Sequence, residues 1–201
     1  MTADRTPTKV DTRTRLADAV LHVIADRGLE HASVREVATA ARMSIGAVQH
    51  HFPTKDDMLV AAFEQVIAAT EARLAAVRLG EDVRRNLTAV LRQLLPLDAT
   101  REAEVRVYLA FAARAATSNQ LAQVQQDLQG RLLDGLTEAL QRARSAGRGP
   151  AAGPPLNPRA DAELLLAVAD GLAFDVVSNP IGADPGRASR LLDRYLARLL
   201  P

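Results

Sequence analysis

The chain has 201 residues, 48% apolar and 24% charged, with a net charge of +1; that suits one medium domain, or a small one joined to a larger, and argues against a generally basic nucleic-acid coat. It has no cysteine, which removes disulfides, thiolate metal sites and thiol catalysis. The opening stretch MTADRTPTKVDTRTR has no apolar signal region, and the longest apolar run, Leu164 to Ala169, falls far short of the roughly 18 residues of a membrane span, so a cytoplasmic protein with no membrane role is expected.

Strand signals are nearly absent, whereas helical periodicity is strong. Leu16, Ala19, Val20, Val23 and Ile24 fall on one helical face, and Gly28 follows as a stop. Ser33 to Glu36 reads as a capping box, in which the serine accepts from the third helical amide and the glutamate reaches back. Ser44 is the next cap, with Ile45, Val48 and Phe52 as the inward face behind it. Thr54-Lys55-Asp56-Asp57 opens a long helix to about Leu79, ended by Gly80. Further helices are expected at about 81–95, stopped by Pro96, and at about 100–116 and 119–144. The stretch SAGRGPAAGPPLNP, 145–158, is too rich in glycine and proline for a helix and reads as one long loop. Asn157-Pro158 starts a helix to about Val177, and Asp184-Pro185 starts the last one. The fold class is therefore all-α, with nine helices. The division expected is an N-terminal arm and three-helix unit over 1–54, with two short helices and a turn at about 33–52, and a larger helical unit over 55–201.

Two short capped helices flank Ala41-Arg42-Met43. Helices of that length need a third helix behind them, and the one before Gly28 supplies it. In such a unit the second helix lies in the major groove with its N-terminal residues at the base edges. With Ile45, Val48 and Phe52 turned inward, Gly46, Ala47, Gln49 and His50 point outward. The small residues at 46 and 47 allow close approach, and Gln49 can pair with an adenine edge. Thr54 and Lys55, at the start of the next helix, suit a phosphate oxygen. A metal site at His50 and His51 is disfavoured, because adjacent helical residues point about 100° apart. The arm holds Arg5, Lys9, Arg13 and Arg15. It either reaches DNA or is disordered to about residue 10.

The stretch from about Arg13 to Phe63 resembles the DNA-binding domain of the TetR family of transcriptional regulators. The matching residues are Gly28, Ser33-Val34-x-x-Val37-Ala38, Ser44-x-Gly46-x-Val48 and His51-Phe52-x-x-Lys55-x-x-x-Leu59. The resemblance implies that Arg35, Ser44, Gly46, Ala47, Gln49, His50, His51 and Lys55 face DNA. His51 either meets phosphate or is half-buried against the first helix. Many members carry an aromatic residue where this chain has Gln49, so a polar base or phosphate contact replaces the usual aromatic one. The stretch LLLAVADGLAFDVVSNP resembles the C-terminal domain of the BetI-like subgroup, without fixing a ligand.

The helix over 158–177 is apolar around nearly its whole circumference and needs neighbours on all sides. A homodimer through the last two helices follows, with Leu165, Leu172, Val176, Leu191, Leu192, Tyr195, Leu196 and Leu199 at the interface. Candidates for a pocket holding an unidentified small-molecule effector are Phe63, Arg106, Tyr108, Phe111, Arg114, Asp170, Phe174 and Asp175. Each has a purely structural reading beside it: Tyr108 and Phe111 read more readily as core at helical spacing, and Asp170 as a dimer-interface or buried-pair residue, while Arg106 and Arg114, eight apart on one face, leave room for an anionic or polar effector. No metal, cofactor or catalytic residue is expected. The leading reading is a ligand-responsive repressor released from a palindromic double-stranded DNA operator. An activator or architectural protein without effector is the alternative, and an all-α enzyme lacks any catalytic arrangement to support it.

Overall fold

The computed structural model describes residues 9–150, 154–179 and 184–201. Among them are nine α-helices, two 3-10 turns and no strand. The helices are α1 (Lys9–Arg27), α2 (Val34–Ala41), α3 (Ile45–His51), α4 (Lys55–Ala76), α5 (Val83–Leu91), α6 (Ala99–Ala115), α7 (Asn119–Ser145), α8 (Pro158–Ser178) and α9 (Pro185–Leu199). The disordered arm expected up to residue 10 lies mostly outside the described residues; α1 already begins at Lys9. Residues 151–153 of the long loop also lie outside them.

Helix starts follow the sequence signals closely. Thr54 and Asp57 form a reciprocal box: the Thr54 hydroxyl accepts from the Asp57 amide at 3.0 Å, and the Asp57 carboxylate accepts from the Thr54 amide at 3.0 Å. Asn157 caps α8 ahead of Pro158, accepting from the Ala160 amide at 3.4 Å. The box expected at Ser33 is only half made. Ser33 accepts from the Glu36 amide at 3.3 Å, but the Glu36 carboxylate pairs with Arg27 of α1 instead. An arginine within reach outcompetes a backbone amide for a carboxylate. Asp184 likewise binds Arg190, at 2.7 Å, in place of a side-chain cap.

Two apolar clusters hold the fold. The first gathers Leu16, Val20, Ile24, Val37, Val48 and Phe52 from α1–α3 with Met58, Leu59 and Phe63 of α4, and continues into Val107 and Phe111 of α6 and Leu121 of α7. The second joins α5 and the far halves of α6 and α7 to α8 and α9, around Leu91, Leu95, Leu140, Leu165, Leu192 and Leu196. The small N-terminal unit has no core of its own; its apolar face is shared with α4 and α6.

That second cluster takes up most of the residues expected at a dimer face. Leu165, Val176, Leu192 and Leu196 are buried inside this chain, and Leu172, Tyr195 and Leu199 are partly buried against the same core. The inward stripe of α8 is Leu165, Leu166, Ala169, Ala173 and Val176. What α8 and α9 turn outward is Leu164, Phe174 and Leu191, exposed by 53%, 56% and 37%. Near-continuous apolarity on α8 hid which side meets the protomer's own core.

Candidate functional site

The first site is the surface of α3 and the turns around it. Val48 and Phe52 are fully buried and fix α3 against α1 and α4. Arg13 of α1 lies over the Phe52 ring at 5.4 Å and reaches Glu64 at 3.4 Å. Ser44 caps α3 by accepting from the Ala47 amide at 3.1 Å. With that face anchored, Gly46, Gln49 and His50 are exposed, as are Arg35, Ser44, Thr54 and Lys55; Ala47 is half-buried. His51 is half-buried too, its ring 5.3 Å from that of His50 and 6.5 Å from Phe52. Ile45, expected inward, is 45% exposed, because the first residue of so short a helix sits beyond the edge of the core. Among the described residues no group of three or more His, Asp or Glu could hold a metal ion.

The turn between α2 and α3 was not legible in sequence. Arg42 closes α2 in the left-handed conformation, φ 54° and ψ 47°, where glycine is usual. The Met43 amide then reaches back to the Ala38 carbonyl at 2.9 Å. This strained position puts a cation on the exposed side of the turn, beside the recognition surface. Gly28, in contrast, sits at a φ of 88°, a backbone conformation that favours glycine.

The second site is a cavity of about 260 Å³ between α4, α6, α7 and α8. Phe63, Tyr108 and Asp170 line it, as the sequence suggested. Five other candidates stand elsewhere. Phe111 is core, stacked on Phe63 at 4.0 Å. Arg106 turns back to Glu102 of its own helix. Arg114 binds Asp56 at 3.0 Å. Phe174 is on the outer face of α8, next to Asp175, which pairs with Arg187 at 2.6 Å. Sequence reasoning missed Arg73 and Glu104. These form a two-pronged ion pair at 2.9 and 2.5 Å in the cavity wall, with Arg73 also reaching Thr70 at 3.1 Å. The clue was a glutamate on the apolar side of α6, next to Val105; Glu104 is the one buried charged residue among those described.

Tyr108 and Asp170 form the polar floor. The Tyr108 hydroxyl donates to Asp170 at 3.3 Å and accepts from the Gln125 amide at 3.3 Å. Burial pushes the Asp170 carboxyl up to about 6, partly offset by the tyrosine hydrogen bond. Burial first, and then the Asp170 charge, push the Tyr108 phenol up to about 12.

A helix-turn-helix head on a hollow all-helical body is the architecture of a DNA-binding regulator with an internal ligand site. Comparison with known proteins makes this specific. Residues 16–62 match the family described as bacterial regulatory proteins of the tetR family, and residues 83–201 match the BetI-type transcriptional repressor C-terminal domain. The BetI regulator of Paraburkholderia phytofirmans is 31% identical over 194 residues, covering 94% of this chain and 93% of that protein. A transcriptional regulator from Rhodococcus sp. RHA1 has a similar structure, with a TM-score of 0.83 and 42% identity over 93% of this chain and 95% of the other. A regulator from Saccharomonospora viridis, solved in complex with choline, shares the fold at a TM-score of 0.86 but only 19% identity, over 96% and 100% of the two chains. The chain belongs to the TetR family of transcriptional regulators, with a BetI-type C-terminal domain.

Proposed function

We propose that this regulator is a cytoplasmic homodimer that holds a palindromic operator and leaves it when a small molecule enters the cavity. The observation that carries the reading is the sharing of helices. The cavity is walled by α4 and α6, and the same two helices complete the apolar core of the DNA-binding head. A ligand that spreads them therefore acts directly on the head. It must bind the spread state more tightly than the operator-bound one, or nothing shifts.

The outward apolar residues Leu164, Phe174 and Leu191 support pairing of two copies through α8 and α9. Pairing there sets two α3 helices on one side, to enter major grooves ~34–36 Å apart. Exposed Gln49 and His50 are placed to read base edges, while Lys55, Arg35 and the α4 N-terminus take phosphates. The reading involves no catalytic step and no cofactor. The test is a gel shift with DNA from upstream of the protein's own gene at moderate salt, with and without cell extract. Sequence-selective retention that the extract abolishes is expected. Equal binding to all sequences would sink the reading.

A further inference from the structure

The charges in the cavity wall do not cancel evenly. Its ionisable lining is Glu71, Arg73, Arg101, Glu104, Arg131 and Asp170, with Tyr108. Each arginine already has a carboxylate. Arg73 is held by Glu104 at 2.5 Å, Arg101 by Asp98 at 2.8 Å and Arg131 by Glu71 at 3.5 Å. Asp170, among the described residues, forms no ion pair, and its only hydrogen bond comes from Tyr108. Gln125, which donates to the Tyr108 hydroxyl from outside the lining, keeps its side-chain oxygen buried without a donor. The polar floor thus carries one carboxylate with no cation paired to it.

Apart from Thr70, Gln93 and Gln129, the rest of the wall is apolar, with Val66, Ile67, Leu74, Val105, Leu128 and Leu132 among its residues. The volume of about 260 Å³ falls just below the roughly 300–1,000 Å³ of most small-molecule sites, which favours a compact ligand. A quaternary ammonium would want aromatic faces around the charge. Here the two lining aromatics, Phe63 and Tyr108, stack on each other at 6.0 Å and 29°, and Phe63 stacks again on Phe111. They do not stand around an open box, and a quaternary nitrogen has no N–H to give Asp170. A carboxylate ligand would meet arginines whose charge is already matched.

We propose that the effector is a compact apolar molecule with a protonated primary or secondary amine, which donates N–H to Asp170 at the cavity floor. This rests on the cavity being the effector site. A buried carboxylate left without a cation is costly, and a ligand ammonium supplies the missing partner in a low-dielectric setting.

Four probes with one chain and different heads test it: octylamine, octanol, octanoate and octyltrimethylammonium, each titrated calorimetrically into the full chain. Octylamine should bind about ten-fold tighter than octanol, the difference between a charge-assisted and a neutral hydrogen bond. It should also bind more tightly than the quaternary analogue and octanoate. Asp170→Asn, checked for cooperative unfolding, should bring octylamine down to the octanol level; if that variant fails to fold, the wild-type series still decides. Octylamine no tighter than octanol, including no binding by any probe, overturns the proposal, as does stronger binding of octanoate or of the quaternary ion. A gel shift with the same probes separates the two readings. Operator release by octanol or octanoate but not octylamine sinks the amine and keeps the ligand-responsive regulator, while absence of any selective DNA binding sinks the regulator itself.

Discussion

Asp56, the second residue of α4, and Arg114, in the last turn of α6, form an ion pair at 3.0 Å, and Ser118 at the start of α7 adds a hydrogen bond to the same carboxylate at 3.1 Å. Asp56 comes four residues after Phe52, the anchor of the recognition helix. The pair therefore ties the head to the helix that carries Tyr108 and Glu104 in the cavity wall. The hydrogen bond from Arg114 holds the Asp56 carboxyl below its ordinary value. Its stabilisation is present above the usual carboxylate range and is lost as pH falls through the lowered value. A urea-unfolding cycle of Asp56→Asn and Arg114→Gln should give a coupling of about 0.5–1 kcal/mol at neutral pH, as the arginine is half-exposed. If Arg114→Gln also blunts release of DNA by a bound ligand, this pair carries part of the signal.

Gln49 is exposed on α3, within two turns of its N-terminus. Gln49→Ala should cost about 1–3 kcal/mol on the preferred base and much less on the others, read by competition with single-substituted operators. Uniform weakening across all sequences would make Gln49 a phosphate contact.

Arg42 holds a left-handed backbone that glycine adopts without strain. Arg42→Gly should raise stability by about 0.5–1 kcal/mol, if relief of strain exceeds the added freedom of the unfolded chain. It should also weaken DNA binding and make it less salt-dependent, by about one phosphate contact. Loss of stability in the variant would show that the arginine side chain contributes more to the turn than its backbone costs.

Asp170 has its pKa raised by burial from 3.8 to about 6. A carboxyl raised in the folded state favours folding most below its unfolded value, near 3.8, and that contribution is lost as pH climbs through about 6. The lining groups that share its field are Glu71, Arg73, Arg101, Glu104, Arg131 and Tyr108, and none of the arginines pairs with it. Asp170→Asn should therefore stabilise the ligand-free protein at pH 8, by up to about 3 kcal/mol, and do little at pH 4. Thermal unfolding at the two pH values checks this. A variant equally destabilised at both would mean that the tyrosine hydrogen bond outweighs the burial of charge.

The outward face of α8 separates packing from association. Phe174→Glu should leave the protomer folded and yield monomers by light scattering, because Phe174 is 56% exposed. Leu192→Ala, at a fully buried site, should instead cost about 2–5 kcal/mol of stability.

The head was legible because its signals are local: a cap at Ser44, a reciprocal box at Thr54 and Asp57, and three-and-four spacing at Val48 and Phe52. Each depends on neighbours within one turn. The cavity was less legible because it depends on partners far apart in the chain. Arg73 and Glu104 are 31 residues apart, and nothing near either announces the other. Arg106 and Arg114 were both pocket candidates on one helix, yet each is claimed by a carboxylate, one local and one distant. On α8 the excess of leucine and valine obscured direction, and only packing against α7 and α9 distinguishes Leu165 from Leu164.

The apolar cluster that runs from Leu16 through Met58 and Leu59 to Phe111 and Leu121 bears on how such regulators can be rewired. Grafting a foreign DNA-reading head at residue 54 would sever Val48 and Phe52 from the side chains that bury them. The exchangeable unit has to bring the first two turns of α4 with it, together with an α6 surface that accepts the new α1. On the proposed reading of α3, new operator specificity is more accessible one exposed residue at a time, at positions such as Gln49 and His50, than by transplanting whole modules.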